Sequence, residues 1–328
     1  MPRAWHLMSR PQGLPTSENF ALKDIELPPL GPGMVRVHNL WLSVDPYMRG
    51  RMNESKSYIP PFALDAPMDG GALGEIVESK ADDFAIGDLV GHFAGWRDEA
   101  VLPAQALTRI PDLAVEPETF LGVLGMPGAT AYFGLLDAAS AKEGDVVFVS
   151  AAAGAVGSAV VQIAKAKGMT VIGSAGGPEK CEFVRSLRAD KVIDYKAGPI
   201  VRSLREAAPD GIDVYFDNVG GGHLDAAFAG ARLHARFALC GMIESYNSAE
   251  PMAFRYIIRT IAMRIRIQGF LYGDYIPRLA EFHRDMGQWV ASGAVKAHET
   301  VIEGLENMPD AFLGLFRGEN VGKMLVRV

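Results

Sequence analysis

The 328-residue sequence is short of metal and disulfide chemistry, with two cysteines, Cys181 and Cys240, and seven histidines. Two thiols make neither a disulfide framework nor a four-cysteine zinc site, and histidines such as His92, His223 and His234 show no ligand spacing. Charge is not concentrated either. Acidic and basic residues are interspersed around a net charge of −7, which argues against nucleic acid or an anionic membrane as a partner. Two stretches, Thr119 to Leu136 and Val146 to Ala164, lack charge over roughly a membrane span. Neither reads as one, because Gly122, Gly125, Pro127, Gly128 and Gly134 break the first, and the second carries a strand, a turn and a helix. There is no repeat or low-complexity tract. Met1 to Pro11 holds no apolar run of signal-sequence length, so the expected location is cytoplasmic.

What is present is a chain that is 49% hydrophobic and long enough for about two domains. The first part is rich in proline and glycine and shows short alternating strands at Val35 to Leu42, Gly74 to Glu78 and Asp88 to Phe93, the texture of an all-β barrel. From Asp145 the texture changes. Six apolar strands alternate with helical segments: Asp145 to Ser150, Met169 to Gly173, Lys191 to Asp194, Ile212 to Asp217, Arg236 to Cys240, and Arg266 to Leu271. That alternation predicts an α/β, doubly wound parallel sheet with its ligand at the carboxyl ends of the strands. Gly322 to Val328 returns to barrel texture, as if the nucleotide domain were inserted into the first. The domains expected are residues 1–124 with 299–328, a substrate domain, and 125–298, a dinucleotide-binding domain, with the substrate in a cleft between them.

The most informative stretch joins Val146 to Lys167. Ala152, Gly154 and Gly157 occupy the three positions of the G-x-G-x-x-G fingerprint, with alanine at the first. Gly154 lets the backbone approach a pyrophosphate, and Gly157 lets the following helix pack on the strand while its first amides face the anion. No Asp or Glu stands about 20 residues on, where a carboxylate would hold the ribose hydroxyls of NAD. The second strand instead runs into Ser174-Ala-Gly-Gly-Pro-Glu-Lys180, read as a loop in which the Ser174 hydroxyl and Lys180 offer hydrogen bonds and charge to a 2′-phosphate. The cofactor expected is NADPH. Pro178 and Glu179 equally suit a first helical turn in which Lys180 is an ordinary solvated lysine.

Several segments recur together in a known family: Leu42-Ser-Val-Asp-Pro-Tyr-Met-Arg-Gly-Arg-Met52, Leu124 to Gly128 with Thr130-Ala131, Ala151 to Gly157, Tyr215-Phe-Asp-Asn-Val-Gly-Gly221, Cys240-Gly-Met-Ile-Glu-Ser-Tyr-Asn247 and Asn320-Val-Gly-Lys323. The whole chain resembles the zinc-independent medium-chain reductases that include leukotriene B4 12-hydroxydehydrogenase/prostaglandin reductase, plant 2-alkenal reductases and bacterial curcumin reductase. The resemblance implies a GroES-like β-barrel domain carrying an inserted Rossmann domain, a homodimer, and NADPH-dependent reduction of the carbon-carbon double bond of α,β-unsaturated aldehydes and ketones. It implies Gly154, Ala155, Val156 and Gly157 at the pyrophosphate, Lys180 and Tyr195 around the adenine ribose phosphate, and Asn218 after the fourth strand. Cys240, Gly241, Ile243 and Tyr246, then Phe270, Leu271 and Tyr272, and finally Asn320, would line the nicotinamide half.

Zinc-bearing relatives in the superfamily use a cysteine and a histidine at the domain cleft, whereas this sequence has Ser43 at the first position and no histidine in Asp69 to Gly74. No metal is therefore expected. Reduction of a conjugated double bond needs none: a hydride adds to the β-carbon while a donor bonds the carbonyl oxygen, where negative charge accumulates, and the α-carbon takes a proton. Candidate donors are Tyr47, Tyr246 and the nicotinamide ribose hydroxyl. Tyr47 also suits packing against Trp41 or Met52, and Tyr246 suits cofactor packing alone. The proposed catalytic tyrosine of some family members is here Ala262, with Tyr256 nearby but on another helix face, and a plant active-site tyrosine corresponds to Gly71. The donor role is accordingly shared among Tyr47, the ribose and water. Tyr58, Phe62, Met126 and Tyr272 are candidate pocket residues or simple core, Arg49 and Arg51 are ion-paired or phosphate-facing, and Cys240 is a small strand-end residue. An NADPH quinone oxidoreductase and a non-enzymatic NADPH-binding regulatory protein remain the alternatives.

Overall fold

A computed structural model describes residues 1–111 and 114–328. The chain divides into two compact units, one formed by Met1–Leu121, Glu299–Asn320 and Met324–Val328, the other by Gly122–His298 and Val321–Lys323.

The first unit opens with β1 (Arg3–Leu7), β2 (Phe20–Asp24) and β3 (Met34–Ser43), then the short helix α1 (Met48–Arg51), and continues through β4 (Ala72–Ser79), β5 (Leu89–His92), β6 (Glu99–Pro103) and β7 (Thr108–Arg109). β3 alternates buried and partly buried residues, as a strand with one core face must, and pairs antiparallel with both β4 and β6. Trp96, fully buried, stacks on Phe20 at 6.0 Å and meets Phe312 edge-on.

The second unit begins at Gly122. Gly122 accepts hydrogen bonds from the amides of Gly125 and Gly128, and a Cβ on Gly128 would run into the Val123 backbone, so residues 122–124 pack with the helix that follows, α2 (Met126–Phe133). The sequence pattern alone places the division after Leu124, three residues later than the contacts do. Next come β8 (Val146–Val149), α3 (Ala155–Ala166), β9 (Thr170–Ala175), α4 (Pro178–Ser186), β10 (Lys191–Asp194), α5 (Ile200–Ala207), β11 (Ile212–Asp217), α6 (Gly221–Gly230), β12 (Ala231–Leu239), α7 (Arg259–Met263), β13 (Arg266–Gly269) and α8 (Leu279–Ala291). The six strands form one parallel sheet in the order β10-β9-β8-β11-β12-β13, so the chain reverses direction across the sheet between β8 and β11. That is the doubly wound arrangement, and a ligand belongs at this reversal. β8, β9 and β11 are near-continuous buried runs, as strands covered on both faces require.

The chain then adds β14 (Glu299–Glu303), α9 (Met308–Arg317) and β15 (Lys323–Arg327). β15 pairs antiparallel with β3, and α9 supplies Met308, Ala311 and Phe312 to the core of the first unit, which is complete only with these late residues. Among the described residues no helix is long and apolar enough to cross a membrane.

Candidate functional site

The turn between β8 and α3 is built from small residues because nothing larger fits. A Cβ on Gly157 would strike the Ala151 carbonyl oxygen and lie 2.8 Å from its carbon and 2.9 Å from the Ala152 Cα. Gly157 therefore sets the closeness of helix and turn. Gly154, the N-cap of α3, differs: a Cβ there would meet only the Ala151 oxygen, at 3.3 Å, leaving its outer side clear. Ala155, Val156 and Gly157 follow in the first turn of α3, whose amides have no acceptor within the helix and carry its positive dipole end. Ala151 holds a left-handed φ of 47°, which bends the chain from strand to helix. The residues present thus fit a dinucleotide pyrophosphate. A second segment braces the turn: the Gly322 amide donates to the Ala153 carbonyl at 2.8 Å, and Gly154 and Gly322 form a parallel bridge. Asn320 precedes this segment and is half-buried.

Beside the turn, a hydrogen-bond network locks the carboxyl ends of β8, β11 and β12. Asp217, wholly buried, accepts from Tyr215 Oη (2.6 Å), from the amides of Val219 and Gly220, and from Ser150 Oγ (3.3 Å). Burial pushes its carboxyl pKa up, against these donors. Asn218 donates its amide to Ser150 Oγ and its side chain to the Ser150 carbonyl (2.8 Å). Cys240 and Gly241 donate their amides to the Asp217 carbonyl, and Ile243 to that of Asn218. Tyr246 Oη accepts from the Met242 amide at 3.4 Å and stands over Gly241, so its hydroxyl turns back on its own loop. Burial raises the Cys240 thiol pKa to about 12, which suits a packing residue. Phe270 is buried edge-on against Phe216, Leu271 is exposed, and Tyr272 is half-buried. Asp217 is the residue of this network to which the sequence reading gave no role; its signal was a carboxylate ending an otherwise apolar strand.

The third corner lies past β9 and β10. β9 runs two residues further than the sequence suggested, so Ser174 is a strand residue and not part of a loop. Its hydroxyl is buried against His223 Nε2 at 2.9 Å, and the expected hydrogen bond from it to a phosphate has no support in this geometry. His223 lies flat over Phe148 and meets the ring of Tyr195 edge-on at 5.1 Å; burial lowers its pKa to about 4, keeping it neutral. Lys180 sits in the first turn of α4, half-buried, and Tyr195 is 41% exposed beside it at the end of β10. Asp194 ties the two loops together, its Oδ1 accepting from the amides of Gly177 (3.0 Å) and Lys196 (2.9 Å). Lys196, to which no sequence motif points, enters the corner in this way.

In the first unit, α1 is pinned by arginines. Arg49 donates to Asn53 and to the Gly13 carbonyl, each at 2.7 Å. Arg51 pairs with Asp69, bonds the Pro60 carbonyl and lies 4.0 Å over the Phe62 ring, which is buried core. Tyr47 precedes this helix, packed against the core cluster that contains Met52. Its hydroxyl is buried with no hydrogen-bond partner among the described residues. Burial first, then Asp45, raises its pKa far above that of a free phenol, so it stays protonated. Tyr58 is 64% exposed, Met126 begins α2 half-buried, Ala262 is an exposed residue of α7, and Tyr256 packs on the core of the second unit. Ser43 bonds Asp45 at 2.5 Å, and among the described residues no three His, Cys, Asp or Glu side chains are grouped to hold a metal.

Comparison with known proteins agrees with this architecture. Residues 3–110 match the family model for the N-terminal domain of oxidoreductase, and residues 155–292 match the model named zinc-binding dehydrogenase. The chain is 43% identical to the NADPH-dependent curcumin reductase of Escherichia coli (strain K12), covering 99% of this chain and 96% of that one. It is 40% identical to prostaglandin reductase 1 of Mus musculus, over 99% and 98%. The structure of CurA from Vibrio vulnificus in complex with NADPH shares 43% identity and superposes with a TM-score of 0.95 over 99% of both chains.

Proposed function

The chain belongs to the zinc-independent medium-chain reductases, the family of the curcumin, prostaglandin and 2-alkenal reductases, and from that premise we propose that it is an enzyme reducing the carbon-carbon double bond of α,β-unsaturated aldehydes and ketones with NADPH. The observation that carries the reading is the glycine turn at the β8–β11 reversal, joined to a second strand whose end offers lysine in place of a ribose-binding carboxylate. Gly154 to Gly157 hold the pyrophosphate, Lys180 and Tyr195 the 2′-phosphate, and Asn218, Cys240 to Tyr246, Phe270 to Tyr272 and Asn320 the nicotinamide half. NADPH, when bound, supplies the hydride that the β-carbon receives. The protein's task is to hold the enone still and to stabilise charge on its oxygen.

Tyr47 suits that task because its Oη is a buried donor with no competing acceptor, and its raised pKa keeps the proton in place. Tyr246 suits it less, since its hydroxyl is committed to its own loop. The carbonyl oxygen accepts a hydrogen bond from Tyr47, which keeps its proton, and the α-carbon is protonated from water. Tyr58, Met126 and Tyr272 are the residues assigned to the substrate's apolar part.

A homodimer and a cytoplasmic location complete the reading. β13 forms one edge of the parallel sheet with all four residues exposed, and Ile257, Ile258 and Ile261 are exposed just before it. An unpaired edge with apolar neighbours is a template for a second copy across a two-fold axis. Both cysteines are free thiols, which suits a reducing compartment.

The test follows NADPH oxidation by initial rates with enals, cyclic enones, aryl enones and quinones. Turnover of enals or enones is expected. NADPH binding without turnover of any acceptor would leave a nucleotide-binding protein, and a strong preference for quinones would make it a quinone reductase.

A further inference from the structure

Two lysines share the corner beyond β9 and β10. Lys180 projects from the first turn of α4 and Lys196 follows β10, and Asp194 fixes their separation by accepting from the amides of both Gly177 and Lys196. Above this clamp lies Gly176. A Cβ there would stand 3.0 Å from Lys196 Cε and 2.6 Å from Tyr195 Oη, so both side chains fold over the same glycine. Among the described residues neither lysine has an ion-pair partner, although their charges are near enough that Lys196, after burial, depresses the pKa of Lys180. The nearby Glu179 carboxylate offsets this only in part, so the like charges still repel, and a bound dianion removes the repulsion.

We propose that Lys196 is a second cation of the ribose 2′-phosphate site and thereby a residue that determines the preference for NADPH over NADH. The inference rests on the cofactor reading above. The clamp turns one Asp194 oxygen, Oδ1, to the backbone amides, and the charges of Asp194 and Glu179 offset the two lysines only in part.

The test compares Lys196→Ala, Lys196→Glu, Lys196→Arg and Lys180→Ala in initial-rate assays with NADPH and NADH, with 2′-AMP and 5′-AMP as competing ligands. Loss of one charge-assisted contact is expected to raise the NADPH KM about tenfold in Lys196→Ala, and more in Lys196→Glu. The kcat, the KM for NADH and the inhibition by 5′-AMP should stay within about twofold, inhibition by 2′-AMP should weaken, and Lys196→Arg should retain most of the native affinity. A rise in NADPH KM with Lys180→Ala but none with Lys196→Ala overturns the role of Lys196 and leaves the cofactor reading intact. If neither variant moves NADPH relative to NADH, the placement of the phosphate at this corner fails as well. Equal losses for NADPH and NADH in Lys196→Ala mark a structural role and also overturn the proposal.

Discussion

Gly154→Ala separates binding from folding more cleanly than any other change in the nucleotide turn. The added methyl meets one atom of the protein, the Ala151 oxygen at 3.3 Å, a contact that gives by a few tenths of an ångström. Gly154 has an ordinary φ of −84°, so alanine incurs no backbone strain, and the reduced entropy of the unfolded chain returns roughly 0.4–1 kcal/mol against roughly 0.5–1 kcal/mol lost at the cap. The melting temperature should therefore move by no more than about 2 °C. A pyrophosphate lying on this backbone would be pushed outward by the methyl, weakening one or two charge-assisted amide contacts of about 1.5–3 kcal/mol each, so the NADPH Kd should rise roughly 10- to 100-fold. Gly157→Ala is the control. Its methyl collides with fixed backbone, so about 1–3 kcal/mol of overpacking, less about 1 kcal/mol of gained helix propensity, should lower stability and affinity together. Titration of NADPH by fluorescence or calorimetry, with scanning calorimetry of the unliganded variants, reads both quantities. An unchanged Kd in Gly154→Ala would refute the location of the cofactor phosphates.

Removing the Tyr47 hydroxyl as Tyr47→Phe deletes a preorganised donor while keeping its packing, and should lower kcat for an enone about 10²-fold with little change in NADPH Kd; an unaltered kcat removes Tyr47 as donor. Because its phenol pKa is raised, the wild-type rate should show no loss assignable to Tyr47 ionisation as pH rises to 10. His92 and His223 have folded pKa values of about 4 against 6.5 unfolded, so the unfolded chain binds more protons in that window. Their stabilisation is complete above pH 6.5 and is lost as pH falls toward 4, at about 3 kcal/mol each, and urea titrations at stepped pH should show His223→Gln with the shallower slope. Ile261→Glu, changing a residue that is 75% exposed, should leave the melting temperature nearly unchanged but yield a monomer by sedimentation if the β13 edge forms the dimer.

The parallel sheet was legible because β8, β9 and β11 are apolar runs between turn residues, alternating with helical segments. The glycine turn was legible for the same local reason. Ser174 is hidden in the sequence because strand length depends on neighbours: β10 pairs with Ser174 and Ala175, extending β9 past the point where its apolar pattern stops. Lys196 and Gly322 carry no such signal: the Gly322 amide meets Ala153 far along the chain, and Lys196 matters through the Asp194 clamp that also holds Gly177. Tyr47 was singled out by its motif, but its lack of a partner is visible only once Met52 and the arginine-pinned α1 surround it.

The contact between Gly322 and Ala153 has a consequence for biosynthesis. Five of the six strands are translated between those two residues, so a ribosome exposes the nucleotide turn well before its brace exists. Nascent chains halted after His298 should hold a formed sheet whose turn is loose, and cofactor should tighten that turn only once Gly322 has left the ribosome. Order of emergence would then make NADPH a late checkpoint on maturation instead of an early template for it.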